Sequence, residues 1–219
     1  VVYNAPGTYS VSFTVAENGC TATATKTLEA FQNPSASVGT FPATGCDPLV
    51  VNFNNTSTAG TPMTYLWQFS DGTSSTLQNP THIFTPAGVY GFSLSVMTNQ
   101  NCIDTSNLVS VNSIIVKPTP VANFSYISAT GLCFIGNNFS FNNTSVFQGI
   151  NGTLLWDFGT NASLQTSTAT TVSNISYNAI GNYPVKLIAE ENGCSDTITN
   201  VVELYENPTA SIEPIICLG

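Results

Sequence analysis

Residues 1–37 align without a gap on residues 175–211, an offset of 174, and 17 of the 37 positions are identical. The identities run through Tyr3, Asn4, Ala5, Gly7, Tyr9 and Val11, then Glu17, Asn18, Gly19 and Cys20, then Asn33 and Pro34, in the same order as Tyr177 to Pro208. A chain that repeats itself in this way is built from copies of one supersecondary unit, which restricts the fold more tightly than composition does. A middle copy is expected at half the offset, and Ala87, Gly88, Val89 and Tyr90 follow the same course. Cys102 stands 82 residues after Cys20 and 92 before Cys194, and Pro120 lies between Pro34 and Pro208, so the unit is 82 to 92 residues long. This spacing predicts the closing part of one unit at 1–33, complete units at 34–118 and 119–207, and the opening of a further unit at 208–219. A segment of a longer tandem array is therefore expected.

Within a unit the apolar residues alternate with polar ones, as at Tyr9, Val11, Phe13 and Val15, and at Val51 and Phe53 beside Asn52 and Asn54. Period two is the spacing of a half-buried strand, and no helical pattern competes with it. Turn formers separate the runs: Asn18-Gly19, Ala59-Gly60, Ser70-Asp71-Gly72, Asn79-Pro80 and Pro86-Ala87-Gly88. Their intervals of about 8 to 12 residues are those of a β-sandwich. Each complete unit has one Trp, Trp67 or Trp156, in its third run. The prediction is all-β: tandem immunoglobulin-like β-sandwiches in a head-to-tail array, each with an indole at the centre of its core.

The segment Tyr65-Leu66-Trp67-Gln68-Phe69-Ser70-Asp71-Gly72-Thr73, with Asn79-Pro80-Thr81-His82-Ile83-Phe84 and Pro86-Ala87-Gly88-Val89-Tyr90, resembles the polycystic kidney disease (PKD) domain. That family's pattern is aromatic-x-Trp-Asp-Phe-Gly-Asp-Gly-Thr, then Asn-Pro-x-His and a Gly-x-Tyr strand. The second complete unit keeps Leu154-Leu155-Trp156-Asp157-Phe158-Gly159 but continues with Thr160-Asn161, without the Asp-Gly turn or the Asn-Pro-x-His element. The first has Gln68 in place of the family's Asp. The resemblance implies a core signature of Trp67, Phe69, Trp156 and Phe158. Tyr9, Tyr90 and Tyr183 each follow a Gly by two residues, the tyrosine-corner position. Together with Tyr3 and Tyr177 they are read as core or corner residues rather than as a sugar-stacking platform. The Asn-Gly-Cys and Thr/Asn-rich character is further similar to repeats in very long secreted surface proteins of gliding and polymer-degrading Bacteroidetes.

One cysteine per unit (Cys46, Cys133, Cys217) falls 9 to 13 residues after the opening Pro, and another (Cys20, Cys102, Cys194) falls at the turn between the last two strands. Two per unit in an exported array argue for disulfides. The simple alternative pairs Cys46 with Cys102 and Cys133 with Cys194, within units. In an immunoglobulin-type sandwich, however, these two loops lie at opposite poles, roughly 25 to 30 Å apart along the second strand, whereas bonded Cα atoms lie within about 7 Å. Head-to-tail stacking sets the opening pole of one unit against the closing pole of the next. An inter-unit Cys46–Cys194 bond is therefore favoured, with Cys20, Cys102, Cys133 and Cys217 reaching for units beyond this segment.

The chain has 3 Lys+Arg against 12 Asp+Glu and a pI near 4.1, which removes nucleic acid as a partner because phosphate binding needs basic side chains. No apolar run approaches the ~18 to 20 residues of a membrane-spanning helix, so direct membrane insertion is not expected. His82 is the only imidazole, and is expected to pack near the Trp. Asp47, Asp71, Asp104, Asp157 and Asp196 read as turn acids rather than as a facing acid–base pair. The cysteines lack zinc spacing, and the turn at Asp71 offers one carboxylate where calcium needs several. No catalytic, cofactor or metal residue is expected, and the chain reads as a non-enzyme. The Bacteroidetes resemblance implies an O-glycosylation acceptor at Thr197 within Asp196-Thr197-Ile198, a pattern from which Asp104-Thr105-Ser106 departs in its third position. The expected function is a stalk segment of a long, exported, cell-surface adhesin used in attachment or gliding. Its partners would be the neighbouring repeats, with surface protein or glycan ligands engaged by regions outside these residues. The alternatives are a spacer or carbohydrate-binding module of a secreted polymer-degrading enzyme, and a subunit of a self-assembling surface filament.

Overall fold

The computed structural model describes residues 1–107, 114–149 and 151–211. The chain divides into two compact units, Val1–Val116 and Lys117–Gly219, and every described element is a β-strand.

The first unit begins with a hairpin of β1 (Gly7–Glu17) and β2 (Cys20–Ala30), paired without interruption from Gly7↔Ala30 to Glu17↔Cys20. Its turn is Asn18-Gly19, with φ of 49° and 83°. A two-residue turn with positive φ at both positions matches the twist of the flanking strands, and Asn-Gly is the pair that adopts it most readily. Register puts Tyr9, Val11, Phe13, Val15 and Leu28 on one face and hydroxyls on the other, where Thr14 and Thr23 lie 2.9 Å apart. The apolar face is open: Phe13 is 68% exposed and Val15 48%.

The rest of this unit is a sandwich. Its strands are β3 (Thr44–Cys46), β4 (Leu49–Asn52), β5 (Met63–Phe69), β6 (Ser74–Ser75), β7 (Thr81–Phe84), β8 (Gly88–Tyr90), β9 (Phe92–Thr98), β10 (Ile103–Asn107) and β11 (Ile114–Lys117). One sheet has the order β10-β9-β5-β6, and β4-β7 and β3-β11-β8 complete the other side. Alternation is visible in β5, where Trp67 and Phe69 point inward while Leu66 and Gln68 point outward. The core gathers Val51, Phe53, Trp67, Phe69, Phe84, Phe92, Leu94, Val96, Ile114 and Val116. β4 is shorter than the alternation suggests. Beyond Asn52 the chain turns instead to the opening segment, through the bridges Val38↔Asn55 and Ser35↔Thr58.

The second unit repeats the plan with β12 (Phe124–Ser128), β13 (Phe139–Asn143), β14 (Thr153–Asp157), β15 (Thr166–Ser167), β16 (Thr171–Ile175), β17 (Gly181–Glu191) and β18 (Cys194–Leu204). Its sheets are β12-β13-β16 and β15-β14-β17-β18, enclosing Phe124, Phe139, Phe141, Trp156, Phe158 and Leu187 among others. β17 and β18 form the same eleven-residue hairpin as β1 and β2, closed by Asn192-Gly193 at φ 53° and 82°. Here its inner face is covered: Val185, Leu187, Ala189 and Val202 are 0% exposed. One hairpin thus occurs twice, once inside a core and once with the same face bare.

Candidate functional site

Both indoles are fully buried, and each ring N–H finds a carbonyl, Trp67 at Leu77 (3.0 Å) and Trp156 at Ala169 (2.8 Å). Pairing the N–H removes the desolvation cost that an indole would otherwise carry into a core. Phe158 stacks on Trp156 at 5.6 Å between centroids, and Phe69 packs at 5.5 Å from Phe53, which in turn contacts Trp67. The three tyrosines donate to the carbonyl four residues earlier: Tyr9 to Ala5 (2.7 Å), Tyr90 to Pro86 (2.6 Å) and Tyr183 to Ala179 (2.6 Å). Tyr177 is buried and stacked on Tyr183. Tyr3 meets Tyr9 at 4.1 Å in the open hairpin.

His82 lies on Phe69 rather than on the Trp, its ring parallel at 4.0 Å, and its Nε2 is 2.7 Å from Asp71 Oδ2. Asp71 Oδ1 also accepts from the Thr73 backbone N–H (3.0 Å) and hydroxyl (2.7 Å). Burial pushes the Asp71 carboxyl up, but the hydrogen bonds from Thr73 and the hydrogen bond and charge of His82 outweigh it, so the group titrates below its ordinary value. The folded value being lower than the unfolded one, this contribution to stability is complete above about pH 4 and is lost as pH falls through the folded value. Acid unfolding followed by Trp67 emission should therefore show Asp71→Asn less stable than the parent at pH 6, with the gap closing below pH 4. A gap that is the same at both pH values would refute the assignment. The register pairs Asn52↔Thr81 and Asn142↔Thr171 carry the same Thr-to-Asn side-chain bond, which makes Val172 the counterpart of His82.

Of the other acids, Asp47 and Asp157 keep turn roles, Asp157 Oδ1 accepting the Gly159 N–H at 3.0 Å, whereas Asp104 and Asp196 do not. Asp104 lies in β10, Asp157 ends β14 and Asp196 lies in β18, while Asp47 sits between β3 and β4. Asp104 Oδ2 accepts the Ala36 N–H at 2.8 Å, and Asp196 Oδ2 accepts the Ala122 N–H at the same distance. Each carboxylate thus clasps the opening segment of its unit to the closing strand. The traceable signal was Cys-x-Asp-Thr at 102–105 and 194–197 paired with Pro-x-Ala at 34–36 and 120–122. A further acid was unforeseen: Glu191, 1% exposed, accepts the backbone N–H groups of Gln148 (2.9 Å) and Gly149 (2.6 Å). Among the described residues no group of three His, Cys, Asp or Glu is placed to hold a metal ion.

The remaining reactive groups are sulfur. Cys46 and Cys194 are disulfide-bonded, a state of oxidising compartments. Cys20, Cys102 and Cys133 are thiols, so neither Cys46–Cys102 nor Cys133–Cys194 forms. Cys217 lies outside the described residues. Thr197 is exposed on β18, paired with Ile188, and its neighbour Asp196 is committed to the Ala122 N–H.

Residues 32–112 match the family model of the PKD domain. The chain is also similar to the solved fibronectin(III)-like modules of CbhA from Clostridium thermocellum, at 10% identity and a TM-score of 0.33, over 82% of this chain and 100% of that one. No curated protein matches the sequence.

Proposed function

We propose that this chain is a stalk: a run of non-catalytic structural repeats within a long exported cell-surface protein that serves attachment or gliding. The observation that carries this reading is which residues the two sandwiches share. Both retain the buried Trp, the tyrosine corner and the aspartate clasp. The one imidazole, by contrast, is replaced by Val172 in the second copy. Scaffold is repeated and the imidazole is not, as suits a spacer whose job is length and stiffness. In this reading residues 1–33 close a preceding PKD-like repeat, which would cover the bare face of β1–β2, and residues 208–219 open a following one.

Cys46 and Cys194 bond to each other in this proposal and brace one repeat against the next. The support is that one cysteine of the opening type and one of the closing type are oxidised, while both in-unit partners remain thiols. Thr197 is the accompanying candidate for O-glycosylation, being exposed on a strand surface. Immuno-electron microscopy of intact cells with an antibody against residues 34–207 tests the stalk. Gold is expected along filaments projecting from the cell surface. Gold confined to insoluble polymer in the medium would instead identify a module of a secreted degradative enzyme and end the stalk reading.

A further inference from the structure

Strand β18 is the outer edge of its sheet: β17 pairs with one side of it, and among the described residues no strand pairs with the other. The two-residue turn makes Glu191↔Cys194 a hydrogen-bonded pair, and bonded pairs recur at every second position, so Asp196, Ile198 and Asn200 spend their backbone groups on β17. Pro184, which lacks an N–H, accordingly falls opposite Val201 at an unbonded pair. The N–H and C=O groups of Ser195, Thr197, Thr199 and Val201 therefore point out of the edge, and all four residues are exposed. Further along, Tyr205 uses the same side to bond Leu132 and Phe134, which closes the edge at that end. Edges are ordinarily blunted by Pro, Lys, a bulge or short length. Residues 195–203 hold no Pro, Lys, Arg or Gly, and the register with β17 is unbroken from Gly181↔Leu204 to Glu191↔Cys194. In the first sandwich the corresponding edge is the five-residue β10, and the next described strand, β11, belongs to the opposite sheet.

We propose that this edge pairs with the same edge of a second copy, antiparallel about a twofold axis at Ile198, so that the two four-stranded sheets become one. The strand is self-complementary in that register. Ile198 meets Ile198, Thr197 meets Thr199 and Asp196 meets Asn200, so apolar faces apolar, hydroxyl faces hydroxyl and carboxylate faces amide. Moving the axis to Thr197 would set Asp196 against Ile198, and moving it to Thr199 would set Asp196 against Val202 and Ile198 against Asn200. With the axis at Ile198 the outward backbone groups also meet in pairs, Ser195 with Val201 and Thr197 with Thr199, each pair exchanging two hydrogen bonds. No like charges oppose one another: Asp196 is the only charged residue between 195 and 201. The contact is isologous and closes at two copies. β10 carries Ser106 where β18 has Ile198, and lacks the apolar contact on the axis. The pairing stands whether or not the chain is a stalk; in a stalk it would be a lateral contact.

The test uses the full chain with its free thiols capped by iodoacetamide, so that no disulfide can join copies. Sedimentation equilibrium should show the average mass rising with concentration from one chain toward two. Thr197→Lys combined with Thr199→Lys sets ammonium against ammonium across the axis and should stay monomeric at every concentration. Thr197→Glu combined with Thr199→Glu should do the same. An equimolar mixture of the two double variants should dimerise again, because each Lys then faces a Glu. Both positions are exposed, and native Trp emission shows that each variant is folded. Hydrogen exchange at the Thr197 and Thr199 amides should slow as the concentration of the parent rises. Dimers that survive in the Lys variant, or a mixture that stays monomeric, would overturn the proposal. So would a monomeric parent; if its Thr197 and Thr199 amides were nonetheless protected, another segment of this chain would be the occupant of the edge.

Discussion

Trp156→Ala is expected to unfold Lys117–Gly219 under conditions where the sandwich of residues 34–116 stays folded. The indole is 0% exposed, touches Phe124, Phe141 and Phe158, and spends its N–H on Ala169. Truncating a buried Trp to Ala costs about 3 to 5 kcal/mol, against a total of about 5 to 15 kcal/mol for a domain. The two cores share no residue, so the loss should stay in one of them. The variant keeps Trp67 as its only indole, which makes the measurement direct. Urea titration should show circular dichroism falling in two steps, with the emission of Trp67 following only the later one. Emission of Trp67 that shifts with the first step would mean that the sandwiches fold as one cooperative body.

Glu191→Ala should be the most damaging change of a charged residue in the chain. The carboxylate receives two backbone N–H groups from the loop before β14, and its removal leaves both without an acceptor at a cost of about 1 to 3 kcal/mol each. Glu191→Gln keeps one acceptor oxygen and should recover part of the loss. Glu190→Ala, one residue away on the exposed face, is the control. Urea midpoints read by Trp156 emission should rank the parent and Glu190→Ala together, then Glu191→Gln, then Glu191→Ala. Equal midpoints for Glu190→Ala and Glu191→Ala would contradict the role assigned to the buried carboxylate.

Much of the sandwich was legible because its causes are local. The alternation through Tyr65, Trp67 and Phe69 requires one face of a strand to be buried, and Asn-Gly at 18–19 and 192–193 requires a tight hairpin. Features that join distant segments were less visible. Asp104 and Asp196 stand beside Thr and were read as turn acids, yet their partners lie 68 and 74 residues away. No period or propensity encodes a side chain reaching across a fold to one backbone N–H. Glu191 was hidden for a second reason: its counterpart in the open hairpin, Glu17, is exposed. The same four-residue block therefore reads as surface in one place and interior in the other. The immediate partners of His82, Phe69 beneath its ring and Asp71 at its Nε2, come from a neighbouring strand and turn and were not visible in the sequence.

The parallel contact between Leu132-Cys133-Phe134 and Tyr205 has a mechanical consequence. In parallel segments the chain enters both from the same end. Tension applied between the start and the finish of the second unit therefore drags the two past each other lengthwise instead of peeling them apart. Hydrogen bonds lying across the direction of sliding share such a load and must yield together, where a peeled ladder gives way one rung at a time. The aspartate clasp on Ala122 and the bridge Val121↔Val146 stand at the point where the force arrives. A pull on the second unit would meet its first resistance there, and behind it the parallel contact at Tyr205, whose hydrogen bonds are arranged to fail late and together.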